Sequence, residues 1–220
     1  MKRIIVAMTI AMVVFNVLSQ NVTASGSVEY SSKNVSLGTG LVFTEEPAVI
    51  FNGAVAFESS DSSKLGVSAF YSGYCGTQRI DGDQFHIIDL FVSYKINKEL
   101  TLYAGPEFTY SDNATKDETG AGLIAMVAYN KSKLNSTGIL YSDPKFKSFY
   151  VIGSVNYSVN NNLSIDGLIA GTNAEAHPIY GLAGIKFSKG HLFAGAHYVF
   201  RVDAPGPVFN VGFSFWTSIY

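Results

Sequence analysis

The sequence predicts an all-β chain, a transmembrane antiparallel up-and-down β-barrel of about twelve strands. Three observations carry that expectation. Beyond residue 25 apolar and polar positions alternate with period 2 almost without interruption, the spacing of strands rather than helices. The alternating segments run about 10–13 residues, twice the usual globular strand and close to the 9–11 that cross a bilayer obliquely. Composition adds the third: 15% of the 220 residues are charged, against roughly 25% in a soluble domain, while 14% are aromatic and 21 are glycine.

The same composition excludes other classes. Fifteen basic and 17 acidic residues give a net charge of −2, which lacks the basic footprint of a nucleic-acid partner. A single cysteine, Cys75, makes no intramolecular disulfide, zinc cage or iron–sulfur site. No cofactor is expected.

The first element is an export signal. Lys2 and Arg3 precede an apolar run from Ile4 to Leu18, then Val22-Thr23-Ala24, the order of a cleavable secretory peptide. The run is short for a span, which needs about 20 apolar residues. Residues 1–24 therefore read as signal peptide and 25–220 as barrel.

Strands are then expected at 27–43, 48–58, 64–74, 84–96, 99–111, 120–130, 136–142, 146–158, 162–173, 178–187, 191–202 and 207–219. The segment 136–142 is the weakest. Bacterial single-chain barrels have an even strand count, so including it gives twelve, with ten as the alternative. Connections sort by parity: 59–63, Asn97-Lys98, 131–135, Asn160-Asn161 and 188–190 are tight, whereas 44–47, 75–83, 112–119, 143–145, 173–177 and 203–206 are mostly longer. Short turns inside and longer loops outside place both termini in the periplasm.

Faces follow from the alternation. In 84–96, Ile88, Leu90, Val92, Tyr94 and Ile96 share one side, with Asp89, Ser93 and Lys95 on the other. A soluble barrel would coat its second face with Lys and Glu; here that face is mostly Gly, Ser, Ala and Asn with isolated charges, so the apolar face is expected to meet lipid. Aromatics on it fall near strand ends: Tyr30, Phe57, Tyr94, Tyr129, Tyr157 and Phe187 at the turn side, Phe43, Phe51, Tyr71, Tyr110, Phe149, Tyr198, Phe200 and Phe209 at the loop side. Two such belts suit the two membrane interfaces. The last strand, Phe209 to Tyr220, is similar to the terminal strand by which the barrel-assembly machinery recognises its clients, although Tyr220 is out of phase with Phe213 and Phe215.

The stretches Thr44-Glu45-Glu46-Pro47-Ala48-Val49-Ile50-Phe51-Asn52-Gly53 and Lys64-Leu65-Gly66-Val67-Ser68-Ala69-Phe70-Tyr71-Ser72, with the strand around Ile88-Asp89-Leu90, resemble the opening third of the TorF porin family. That family carries an Arg-Gly-x-Ser element where this chain reads Ser36-Leu37-Gly38-Thr39-Gly40. The resemblance covers about 27–95 and implies a porin-like barrel with no catalytic residues to carry over.

Catalysis finds little support. His191 and His197 share an expected inward face but lie about 20 Å apart along one strand, so they hold no common metal; His86 and His177 are placed at the loop side. No Ser/His signature of a barrel hydrolase is present, and the chain is not expected to be an enzyme. Glu58, Asp89, Lys95, Tyr103, Glu107, Asp166, Lys186, His197 and Arg201 are the pore-lining candidates. Twelve strands should leave a narrow or partly plugged lumen. The expectation is an outer-membrane porin of a Gram-negative bacterium passing small polar solutes with weak selectivity. The alternative is a non-conducting structural or host-interaction barrel. An outer-loop acidic cluster, Glu45, Glu46, Asp81, Asp83, Asp117 and Glu118, is the candidate for cation-bridged contact with lipopolysaccharide; membrane lipid is the other expected partner.

Overall fold

The computed structural model describes residues 21–35, 42–44, 47–58, 64–76, 84–113, 116–143, 148–173, 179–200 and 205–219. Its strands are β1 (Asn21–Ser31), β2 (Asn34–Val35), β3 (Val42–Thr44), β4 (Ala48–Glu58), β5 (Leu65–Gly76), β6 (Gln84–Lys95) and β7 (Leu100–Asn113). They continue as β8 (Lys116–Lys131), β9 (Leu134–Asp143), β10 (Ser148–Ser158), β11 (Leu163–Thr172), β12 (Ile179–Lys189), β13 (Leu192–Phe200) and β14 (Gly206–Ile219). Apart from the small β2–β3 hairpin, the twelve long strands form one closed antiparallel barrel, each paired with its chain neighbour. Closure comes from β1, which pairs with β4 on one side and β14 on the other, Val28 lying opposite both Phe51 and Phe213. The strand expected to be weakest is real: β9 pairs along its whole length with β10 and β8.

The first strand departs from its expected span of 27–43. It begins at Asn21, ends at Ser31 and is followed by the hairpin, with Val22 already paired to Phe57 and Ile219. The expected cleavage point after Ala24 thus falls inside a paired strand. Two aromatics lose their expected places in consequence: Tyr30 sits beside Ser31 at the loop end rather than at the turn end, and Phe43 falls on β3, outside the barrel sheet. The connection expected at 112–119 is also much shorter, because β7 and β8 pair as far as Asn113 opposite Lys116.

Tight turns close the end that carries the termini. Asn97 accepts backbone hydrogen bonds from Glu99 and Leu100, and Asn160 accepts the equivalent pair from Asn162 and Leu163. Asparagine side chains thereby supply the turn's missing backbone acceptor at two hairpins. Gly190, at a φ of 61°, provides the left-handed residue between β12 and β13. That turn swings His191 out of the lumen: its ring packs on Phe213 and its Nδ1 lies 2.8 Å from the Ser214 carbonyl. The expectation that His191 faces inward is corrected by the turn, where the period-2 rule no longer applies.

The outer surface is apolar. Leu123, Leu140, Ile165, Ile169, Ile179, Leu192 and Val211 are all at least half exposed, as are Phe187, Phe200 and Phe209 near strand ends. A water-soluble fold does not display such a continuous belt, whereas lipid covers it at no cost. We predict that Ile169→Lys, at a site 63% exposed, lowers the unfolding free energy in bilayers by roughly 2–4 kcal/mol. Urea titration of vesicle-inserted protein reads this, and a neutral result would mean the belt does not face hydrocarbon.

Candidate functional site in the barrel lumen

Inward positions alternate with the lipid-facing ones, and they divide into two sectors. On β10 to β14 the inward residues toward the loop end are apolar and packed: Ile152, Leu168, Tyr180, Leu182, Val199 and Val208 form one buried cluster, with Ile139 against it. Val208 is 0% exposed. Strands with apolar residues on both faces are buried on both, one side by lipid and the other by this plug.

Beneath and beside the plug lies a polar network. His197, on β13 and 4% exposed, points Nε2 at Asp166 Oδ2 on β11, 3.3 Å away. Asp166 Oδ1 accepts a hydrogen bond from Asn156 on β10. Asn210 on β14 donates through Nδ2 to Glu29 Oε2 on β1, at 3.2 Å. Lys186 on β12 interacts electrostatically with both Glu29 and Asp166 while its Nζ sits 4.0 Å from the centre of the Phe193 ring. Such groups are tolerated at partly buried positions because each charge has an opposite charge or a donor at hand.

Glycines make the room. A Cβ on Gly184 would overlap His197 Cδ2 and the Ala196 carbonyl, and one on Gly195 would overlap Asn210 Oδ1. The imidazole and the Asn210 amide therefore lie flat against a wall that has no side chains of its own there.

The other sector, β1 and β4 to β8, borders a lumenal cavity of about 660 Å³. Ser27, Asn52 and Ser72 form a hydrogen-bonded row across three strands, Asn52 donating to Ser27 at 3.3 Å and accepting from Ser72 at 2.9 Å. Asp89 and Glu107 stand opposite each other on β6 and β7 and hydrogen-bond through their side chains. Beside them the ladder is interrupted between Asp89–Glu107 and Val92–Ala104, where Pro106 has no N–H to give. Phe70 and Tyr103 each meet Phe91 edge-on, at 5.5 and 5.9 Å between ring centres. Lys186 lines the same cavity. Trp216, 75% exposed, stands at its rim on the end of the termini, whereas Ser31 and Ala48 are buried at the loop end, where the space narrows.

Of the candidates read from sequence, Asp89, Glu107 and Lys186 share the cavity, and Asp166 and His197 pair in the buried network. Tyr103 supports Phe91. Lys95 falls at the turn end of β6, opposite Thr101. Glu58 ends β4, in register with Asn21 and Gly66. Arg201 lies outside the described residues, as do Glu45, Glu46, Asp81 and Asp83 of the acidic cluster. Asp117 and Glu118 occupy paired positions on β8, opposite Asp112 and Ser111, rather than an open loop.

Sequence reasoning missed Glu29, Asn156 and Asn210, and it expected a narrow or partly plugged lumen without naming the residues that plug it. Glu29 was visible as a lone charge between Val28 and Tyr30, both lipid-facing. The plug was visible as apolar pairs, Val151-Ile152, Leu168-Ile169 and Ile179-Tyr180, that break the alternation.

No protein-family model matches this sequence, and no curated protein matches it, so the TorF resemblance is carried by the quoted residues alone. Solved structures do match in fold. The KdgM porin aligns with a TM-score of 0.55 at 9% identity, over 87% of this chain and 98% of that one. The same porin in complex with disordered oligogalacturonate gives 0.53 at 10%, over 88% and 98%. Outer membrane phospholipase A from Escherichia coli gives 0.52 at 9%, over 90% and 96%. At these identities the likeness establishes the outer-membrane type of β-barrel fold.

Gly184→Ala should cost roughly 1–3 kcal/mol by over-packing the wall behind His197. Gly53→Ala, whose added methyl meets nothing within 4 Å, should stay within about 0.5 kcal/mol of the parent. Urea midpoints of the refolded barrels measure both, and equal midpoints would remove the close approach from the account.

Proposed function

We propose that this chain is a porin-like barrel of the bacterial outer membrane, admitting small polar solutes by passive, weakly selective diffusion through a restricted lumen. The observation that carries the proposal is the cavity of about 660 Å³ inside the barrel, whose mostly apolar wall is interrupted by Ser27, Asn52 and Ser72 and by the charged side chains of Glu29, Asp89, Glu107 and Lys186. Open space reached by several charged and amide side chains inside a lipid-facing barrel suits the passage of small polar solutes. The fold alone does not decide, because a phospholipase shares it with porins. The Asp166–His197 pair is read as structural: among the described residues the ring has Asp166 on one nitrogen and no hydrogen-bond partner on Nδ1, so no nucleophile is within its reach.

A second reading, a non-conducting structural or host-interaction barrel, draws on the buried plug of Ile152, Leu182, Val199 and Val208. Export through a signal peptide cleaved after Ala24, insertion by the barrel-assembly machinery and contact with lipopolysaccharide complete the proposal. Cleavage there would leave β1 starting at Ser25, short by four residues of its present pairing.

Two measurements test these statements. In planar bilayers the purified protein should show small stepwise conductances, and Leu182→Ala combined with Val208→Ala should enlarge the steps by thinning the plug; silence of both at every voltage would favour the second reading. Intact mass of the barrel from outer membranes should correspond to a chain beginning at Ser25, and a mass that retains residues 1–24 would rule out cleavage.

A further inference from the structure

The lumenal charges are arranged across the barrel. Around the closed sheet β6 is six strands from β12 in either direction, so Asp89 stands diametrically opposite Lys186, with Glu107 one strand away. All three line one cavity. The two walls are not equivalent. Lys186 interacts electrostatically with Glu29 and Asp166 and has the Phe193 ring beneath its ammonium. The Asp89–Glu107 wall has the Phe70 and Phe91 rings beside it, and among the described residues Asp89 Oδ1 is buried without a hydrogen-bond partner. Lys95, on the same strand as Asp89, lies six residues further toward the turn end, about 20 Å along the chain. Among the described residues that line the cavity, Glu29 and the Asp89–Glu107 pair, whose hydrogen bond shares one proton, face a single ammonium, that of Lys186, so acidic groups are in surplus.

We infer that the lumen passes small cations in preference to anions and that the Asp89–Glu107 pair is the specificity-determining element, with Lys186 as its counterweight on the opposite wall. The inference rests on the porin reading and names the class of solute it leaves open. A cation entering from the termini end meets the carboxyl pair beside Phe70, Phe91 and Tyr103. The ring faces offer further attraction to an ammonium group. An anion meets the same carboxyls as repulsion, and the one ammonium lining the cavity, Lys186, has Glu29 and Asp166 near it. Fixed charge in a narrow, low-dielectric passage acts more strongly than at an open surface.

The test is the reversal potential of the full barrel in planar bilayers under a tenfold gradient of potassium chloride. The wild type should favour potassium over chloride by roughly two- to fivefold, the scale of one surplus charge several ångströms from the path. D89N/E107Q should bring the ratio to unity or below, and K186M should raise it. Heat-modifiable gel mobility confirms that each variant has folded, and K186M keeps the test informative should the carboxyl variant not assemble. A wild-type ratio of one or less overturns the inference while leaving the porin reading standing. So does a ratio that neither variant moves. A wild type that never conducts is a different result: it removes the porin reading and this inference with it.

Discussion

Backbone hydrogen bonding in hydrocarbon is the constraint on which this structure depends. A peptide group facing lipid has no water to turn to, and each unmet N–H or C=O costs several kcal/mol. A sheet meets the demand only by closing, and here closure rests on β1, which is held on one side by the next barrel strand, β4, and on the other by β14 from the far end of the chain. Everything else is arranged within that ring. Strand lengths follow from the thickness to be crossed, the alternation from having lipid on one side, and the short asparagine-capped turns from the need to return at once into the next strand.

Inside the ring a different bargain is struck. Apolar side chains on β10 to β14 pack against each other, as in a soluble core, although both faces of those strands are then apolar. Polar groups that remain are buried in pairs: Asn156 with Asp166, His197 with Asp166, Asn210 with Glu29. The glycines at 184 and 195 belong to this arrangement, since a methyl group in either place would displace the ring or the amide that the network needs.

Most of the architecture was legible in the residues. Alternation and the parity of the connections gave twelve strands and their order, because both are local properties of a chain that pairs with its neighbours. Ser31 shows where such reasoning stops: the first strand has no preceding hairpin to fix its frame, so its span was misjudged, and Tyr30 with it. Individual inward residues such as Asp89, Glu107, Lys186 and His197 could also be named from parity alone. Which of them meet could not, because Asp166 and His197 lie 31 residues apart and come together only through the stagger of β11 to β13. Glu29 and Asn210 are farther apart still, joined solely by the closure of the barrel. The terminal Tyr220 and the loop carboxylates at 45, 46, 81 and 83 fall outside the described residues.

The division of the interior by sector has an evolutionary consequence. Packing is concentrated on five consecutive strands near the C-terminus, whereas most of the cavity wall, Lys186, Phe193 and the end of β14 apart, comes from the N-terminal strands, so the two demands fall largely on different stretches of the gene. Substitutions between about residue 25 and residue 126 can alter what the cavity touches while the apolar plug stays whole. Changes between 152 and 208 act first on whether the barrel holds its shape. A lineage can therefore revise the chemistry of the wall around Asp89 and Glu107 without renegotiating its foundations, as a building keeps one load-carrying side and remodels the other.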